Sequence, residues 1–379
     1  MKMNVNVNDT PSNKNSGKGG DVVIVYRNYS ELKHKDRLIK YLGFHDHLTG
    51  LYNRRFYQEE MKRLDKERNI PISIVMADIN GLKLVNDAYG YKAGDELIRK
   101  IAGILSRECR ADDIIARIGG DEFAIILPGT NPDQARRFAA RISEAMAYEK
   151  PDKLIPSLAI GFAVKQDVSD NIDDIFRNAE DDMNRQKLSE SASVKSRTIV
   201  LILNALYERN SLEMSHSKRV GQLCEELASQ MLFKRDDANQ LRTAGILHDI
   251  GKIRIDESIL KKPEELNENE WHEVMKHPET GYRILSSVNG FSEIAVYVKQ
   301  HQERWDGLGY PNALKGDEIS VQARIISVTS AYAAMTSEKP YGKALSEDQA
   351  ILEIKKNSGS QFDPEVAIIF VEKVLKKPW

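Results

Sequence analysis

Gly119-Gly120-Asp121-Glu122-Phe123 sets two residues without side chains beside two adjacent carboxylates. Ile114, Ile115, Ala116 and Ile118 precede it and Phe123 to Leu127 follow, so the flanks read as two short buried strands with the glycines at the turn. Glycine lets a base or phosphate approach the backbone closely, and Asp121 and Glu122 offer hard oxygen ligands for magnesium. Ile72 to Ala77 is an apolar run ending in Asp78, as in a buried strand that delivers a carboxylate at its end. The plainer reading is a glycine-rich hairpin with solvated acids. A second concentration of chemistry lies beyond residue 200, where five of the eight histidines, His216, His248, His272, His277 and His301, fall in one half of the chain.

Arg117-Ile118 followed by the pentapeptide resembles the signature of the GGDEF family, the bacterial diguanylate cyclases. His45-Asp46-His47-Leu48-Thr49-Gly50-Leu51-Tyr52-Asn53-Arg54 is similar to that family's opening segment. Asp78-Ile79-Asn80-Gly81-Leu82-Lys83, Asn86-Asp87 and Gly94-Asp95 continue the likeness in order. It implies an α/β sheet-and-helix domain that joins two GTP into cyclic di-GMP, the 3′-hydroxyl of one attacking the α-phosphorus of the other while pyrophosphate leaves. By the same resemblance Asp78 and Glu122 hold Mg2+ or Mn2+. Asp121 adds a metal contact or helps deprotonate the hydroxyl, and Gly119 and Gly120 let the nucleotide approach. Asn86 and Asp95 would read the guanine edge, where Asp95 as an acceptor suits the ring and amino N–H donors. Lys83 and Lys187 would pair with the triphosphate, against the plain alternative of solvated lysines. One such domain binds one GTP, so synthesis calls for a homodimer.

Arg110 and Asp113 stand where many cyclases carry an RxxD product-inhibition site, since arginine can stack on guanine and fork onto phosphate. An ion pair on a helix surface is the other reading. Asn80, Tyr91 and Asn184 depart from the commoner Asp, His and Tyr. None of them removes Asp78, Asp121 or Glu122.

His248-Asp249-Ile250-Gly251-Lys252 is an adjacent His-Asp pair able to serve one metal and bridge to a second. With His216-Ser217-Lys218-Arg219-Val220, His277-Pro278-Glu279 and the stretch from His301 through Gly309-Tyr310-Pro311, it resembles the HD-GYP family of metal-dependent cyclic di-GMP hydrolases. The resemblance implies iron or manganese held by His216, His248, Asp249, His277 and His301, with Lys252 and Arg304 contacting phosphate. Ser330 and Ala333 stand where the family has Asp, Gln302 where it has a second consecutive His, and Leu212 where three-metal members have Glu. Serine and glutamine are weak neutral donors. The reading therefore leans toward a domain that binds cyclic di-GMP, or acts as a scaffold, over one that hydrolyses it. His272 matches no motif.

The periodicity turns helical from Leu201 onward, so an α/β domain is followed by an all-helical one. The expected organisation is a disordered tail over 1–20, a strand remnant and signalling-helix linker over 21–43, a cyclase domain over 44–190 and a helical domain over 191–379. Val22 to Tyr26 and the polar helix from Tyr29 to Leu42 are similar to the tail of a PAS sensor domain and its signalling helix. A boundary is expected in the serine-rich stretch after Lys187, with a helix resuming from Ile199. A formal charge of -2 with interspersed signs gives no footprint for a nucleic-acid polymer. Two cysteines, Cys109 and Cys224, in separate domains suit a reducing cytoplasm. No apolar run reaches membrane-spanning length, and no leader is evident.

Overall fold

The computed structural model describes residues 41, 43–148, 157–288, 290–337 and 344–379; for 188–195 and 211 only the backbone is described. The expected tail over 1–20 and nearly all of the linker over 21–43 lie outside the described residues.

Strands β1 (Tyr52–Asn53), β2 (Ile72–Ile79), β3 (Ile114–Arg117), β4 (Glu122–Leu127) and β5 (Leu158–Lys165) form one sheet in the order β1-β3-β4-β2-β5. Only β1 and β3 run parallel; β3-β4, β4-β2 and β2-β5 are antiparallel. Because successive side chains of a strand face opposite ways, residue parity sorts the core into two layers. Val75, Ala77, Ile79, Phe123, Ile125 and Leu127 pack with α3 (Tyr91–Glu108) and α4 (Pro132–Tyr148). Ile72, Ile74, Met76, Ala124 and Ile126 pack with α1 (Arg54–Leu64) and the first turns of α5 (Ile172–Arg209). The short helix α2 (Leu82–Tyr89) leaves the end of β2.

Helix α5 does not stop in the serine-rich stretch but runs on into the second domain, 38 residues in all. That stretch, Ser189-Glu190-Ser191-Ala192-Ser193-Val194-Lys195, holds no proline or glycine, so nothing in it ends a helix whose two ends are each fixed by packing. Ile172, Ile175, Ala179 and Met183 are buried on the sheet, while Ile199, Ile202 and Leu206 enter the helical core.

The domain comprises α6 (Ser211–Gln230), α7 (Arg235–Leu247), α8 (Glu257–Leu260), α9 (Glu268–Met275), α10 (His277–Ser286), α11 (Ser292–Gln300), α12 (Val321–Met335), α13 (Glu347–Lys356) and α14 (Pro364–Ile369), of which α8 and α9 bury no residue in the core. A 3-10 segment, Ile250–Arg254, follows α7. Among the described residues no helix is long and apolar enough to cross a membrane.

Helix α5 crosses β5 at Gly161, where an added Cβ would lie 2.0 Å from the Met183 backbone nitrogen and 2.5 Å from the Ala179 carbonyl oxygen. Backbone cannot yield there as a side chain can. Gly161→Val should therefore lower stability by about 3 kcal/mol or more through overpacking, read as a fall in the urea midpoint. An unchanged midpoint would contradict this helix-on-sheet contact.

Candidate functional sites

Asp78 and Glu122 are partners across β2 and β4, and their parity places both on the α5 side of the sheet. Asp78 is buried, and its Oδ1 has no hydrogen-bond partner among the described residues. Its other oxygen meets Lys187 Nζ at 2.7 Å, one helical turn beyond the Met183 contact that seats α5. Burial, and then the nearby Asp121 and Glu122 carboxylates, raise the Asp78 pKa in spite of Lys187. Three acids with one lysine between them form a place for a divalent cation, and this donor set of hard oxygens fits magnesium or manganese.

The turn that presents Asp121 and Glu122 is held by its own backbone. The Ile118 N–H donates to the Glu122 carbonyl at 3.0 Å, and Arg117 Nη2 donates to the Gly120 carbonyl at 2.7 Å. Arg117 Nη1 also reaches Asp46 Oδ1 at 3.2 Å, and Asp46 accepts from the Thr49 backbone and hydroxyl. The sequence does not announce this Asp46–Arg117–Gly120 relay, although all three residues stand in the quoted motifs. Gly119 matters because a Cβ there would fall 2.5 Å from Glu122 Oε2.

Asn86 on α2 and Asp95 on α3 come together: a Cβ on Gly94 would meet Asn86 Oδ1 at 1.9 Å, so the amide lies against the backbone beside Asp95. Lys83 is exposed on α2, and Lys187 pairs with Asp78 where a triphosphate had been expected. Arg110 is exposed beyond α3, and its backbone N–H donates to Asp113 Oδ2 at 2.7 Å. Burial raises the Asp113 pKa. Arg110, Arg137 and Arg141 line a cleft of 380 Å³.

In the second domain all five expected ligands converge. His216, His248 and Asp249 form one trio, and Asp249, His277 and His301 a second, with ligand atoms within 4.8 Å of one another in each. His248, His277 and His301 sit at or next to helix ends, and each Nδ1 lies 2.6–2.8 Å from a backbone carbonyl three residues back. Carbonyls only accept, so each Nδ1 carries a proton and each Nε2 turns inward, a lone pair whenever the ring is neutral. His277 Nε2 and His301 Nε2 then face each other at 3.3 Å, an arrangement that a cation between them and Asp249 relieves.

Burial holds the His301 pKa well below 6.5 and brings His216 down to about 4, so both are neutral ligands near pH 7. Burial also opposes the His248 cation, but Asp249 Oδ2 at 3.0 Å outweighs it and raises that pKa. Ser330 Oγ lies 3.4 Å from His216 Nε2 and 3.2 Å from His248 Nε2, inside the first trio. Gln302 Nε2 lies 3.1 Å from His301 Nε2 in the second.

Lys252 and Arg304, expected on phosphate, are instead paired within the chain. Lys252 Nζ bridges Asp249 at 2.8 Å and Glu213 at 2.9 Å, while Arg304 forks onto Asp306. Glu213 went unnoticed because the four-residue offset before His216 falls on Leu212. Its Oε2 is buried without a hydrogen-bond partner among the described residues, and it lines a 400 Å³ cleft with His216, Arg219 and Lys252. An acid three residues before His216, on the same helix face, was the available signal. His272 is exposed, and among the described residues its ring bonds the Glu268 carbonyl.

Residues 43–193 match the family model described as "Diguanylate cyclase, GGDEF domain", and residues 201–366 match "HD domain". The chain thus carries a GGDEF domain followed by an HD domain. It is 37% identical over 180 residues to a cyclic di-GMP phosphodiesterase of Thermotoga maritima, covering 46% of this chain and 48% of that one. It is 37% identical over 150 residues to 3'3'-cGAMP-specific phosphodiesterase 3 of Vibrio cholerae, covering 40% and 33%. To the probable diguanylate cyclase DgcT of Escherichia coli it is 29% identical over 171 residues, covering 43% and 38%. The chain spans between a third and a half of the length of these relatives.

A metal entering the first trio must displace the His248 proton. Mn2+ affinity measured by calorimetry should climb with pH through the neutral range, by up to about tenfold per unit, and level off above the raised His248 pKa. A flat profile would contradict His248 as a ligand.

Proposed function

We propose that the chain is a cytoplasmic diguanylate cyclase that condenses two GTP to cyclic di-GMP and pyrophosphate, and that its HD domain has impaired phosphodiesterase activity. The observation that carries the first part is Asp78 opposite Glu122 in register, with a buried oxygen that has no partner. Magnesium or manganese held there with the triphosphate neutralises charge at the α-phosphorus. Asp78 and Glu122 hold it, and Lys187 gives up its contact with Asp78 to pair with phosphate. Asp121 adds a further contact or takes the proton of the attacking 3′-hydroxyl. Asn86 and Asp95 read guanine, and Lys83 approaches the triphosphate from the exposed side of α2. Each domain binds one GTP, so the working species is a homodimer that sets two bound nucleotides face to face. Arg110 with Asp113 is the product-inhibition site. Free thiols at Cys109 and Cys224 accord with a reducing compartment.

The converging imidazoles support a second activity, hydrolysis of cyclic di-GMP on iron or manganese. Ser330 and Gln302 weaken it, since each puts a neutral group where a stronger ligand would close a trio. What remains is a domain that binds cyclic di-GMP with little turnover.

Purified protein given GTP and Mg2+ should form cyclic di-GMP, and Glu122→Gln should reduce the rate by at least about a hundredfold. Retained turnover in that variant would refute the site assignment. Given cyclic di-GMP and Mn2+, wild type should yield little linear dinucleotide or GMP. Ser330→Asp with Gln302→His should increase that yield, and no gain would mean that ligand loss alone does not disable the site.

A further inference from the structure

Helix α2, which carries Lys83 and Asn86, is shared between the two domains. Val85 belongs to the sheet core, whereas Leu84 and Ala88, both fully buried, belong to the core cluster of the helical domain, with Tyr89 packed beside them. Their neighbours are the 3-10 segment Ile250–Arg254 and α10. Those elements also carry the metal-ligand candidates: Asp249 precedes the 3-10 segment, and His277 opens α10.

The two elements are closely packed on each other. A Cβ on Gly251 would fall 2.0 Å from the His277 carbonyl oxygen and 2.7 Å from the Gly281 nitrogen, so they touch backbone to backbone. The last turn of α5 grips the same piece, with Arg209 Nη1 donating to the Ile253 carbonyl at 3.1 Å. Arg254 reaches the end of α2, its Nη2 3.7 Å from where a Gly90 Cβ would stand. Through α5 the helical core is joined a second time to the nucleotide site, at the Lys187–Asp78 pair.

We propose that the HD domain is a positioning element of the nucleotide site. Leu84 and Ala88 seat the guanine-reading helix on the Ile250–Arg254 and α10 piece, so that metal occupancy at Asp249 and His277 sets the affinity of Asn86 and Asp95 for a guanine nucleotide. This rests on the cyclase reading of the first domain and the metal reading of the second. Asp249, His277 and His301 would hold the cation, and any adjustment of those residues to it would be felt by the Ile250–Arg254 and α10 piece. Because α2 is packed on that piece through Leu84 and Ala88 and on the sheet through Val85, a displacement of one relative to the other would strain its seat. Linkage makes the effect reciprocal: nucleotide changes metal affinity by the same factor.

The test uses the full chain and α,β-methylene-GTP, which cannot transfer its nucleotidyl group, at fixed saturating Mg2+. Its Kd is measured by calorimetry with and without added Mn2+, and the Mn2+ Kd with and without nucleotide. The expected result is a change of about fivefold or more, equal in both directions. It should vanish in His277→Ala and shrink in Leu84→Ala, whose retained binding of both ligands shows that it is folded. Tight binding of both ligands to wild type with no mutual effect would overturn the proposal and leave both site readings standing. Failure of Mn2+ to bind would overturn it together with the metal reading, and failure of the analogue to bind would overturn it together with the cyclase reading.

Discussion

Three carboxylates brought within reach of one another at the ends of two interior strands are unfavourable until a cation joins them, and the first domain is organised around that constraint. Register puts Asp78 against Glu122, and the Gly119–Gly120 turn adds Asp121. The burial that raises the Asp78 pKa also makes its partnerless oxygen a strong ligand once a metal arrives. Lys187 holds the place of that cation, with its position set by the close crossing of α5 over Gly161. Strand parity, helix placement and electrostatics thus converge on one spot.

The second domain meets a related problem with nitrogen. Three imidazoles have their Nδ1 protons committed to carbonyls, which aims their Nε2 lone pairs inward around Asp249. Lys252 supplies positive charge between Asp249 and Glu213. Ser330 stands inside the first trio as a neutral group, its Oγ 3.4 Å from His216 Nε2 and 3.2 Å from His248 Nε2. Glu213, displaced by one residue from the expected position, keeps an anionic oxygen beside the cleft.

Much of this was legible in the chain. The apolar run ending in Asp78, and the glycine pair before Asp121, specify where carboxylates emerge from a sheet. The five candidate metal ligands of the second domain follow from the motifs that resemble the HD-GYP family, and the fold brings them together. The Asp46–Arg117 relay was harder to see, because it joins segments 71 residues apart. The unbroken α5 was missed because serines suggested a boundary, although no helix breaker was present. Docking of α2 on the helical domain could not be read at all. Leu84 and Ala88, four apart, announce a buried stripe without saying which core receives it.

The account stands on the proposal that a metal binds between Asp78 and Glu122. Crystals soaked with Mn2+ and α,β-methylene-GTP should show anomalous density about 2.1 Å from an oxygen of each carboxylate and from the triphosphate, with Lys187 released from Asp78. Nucleotide bound with its metal away from both acids, or with Lys187 still on Asp78, would contradict it.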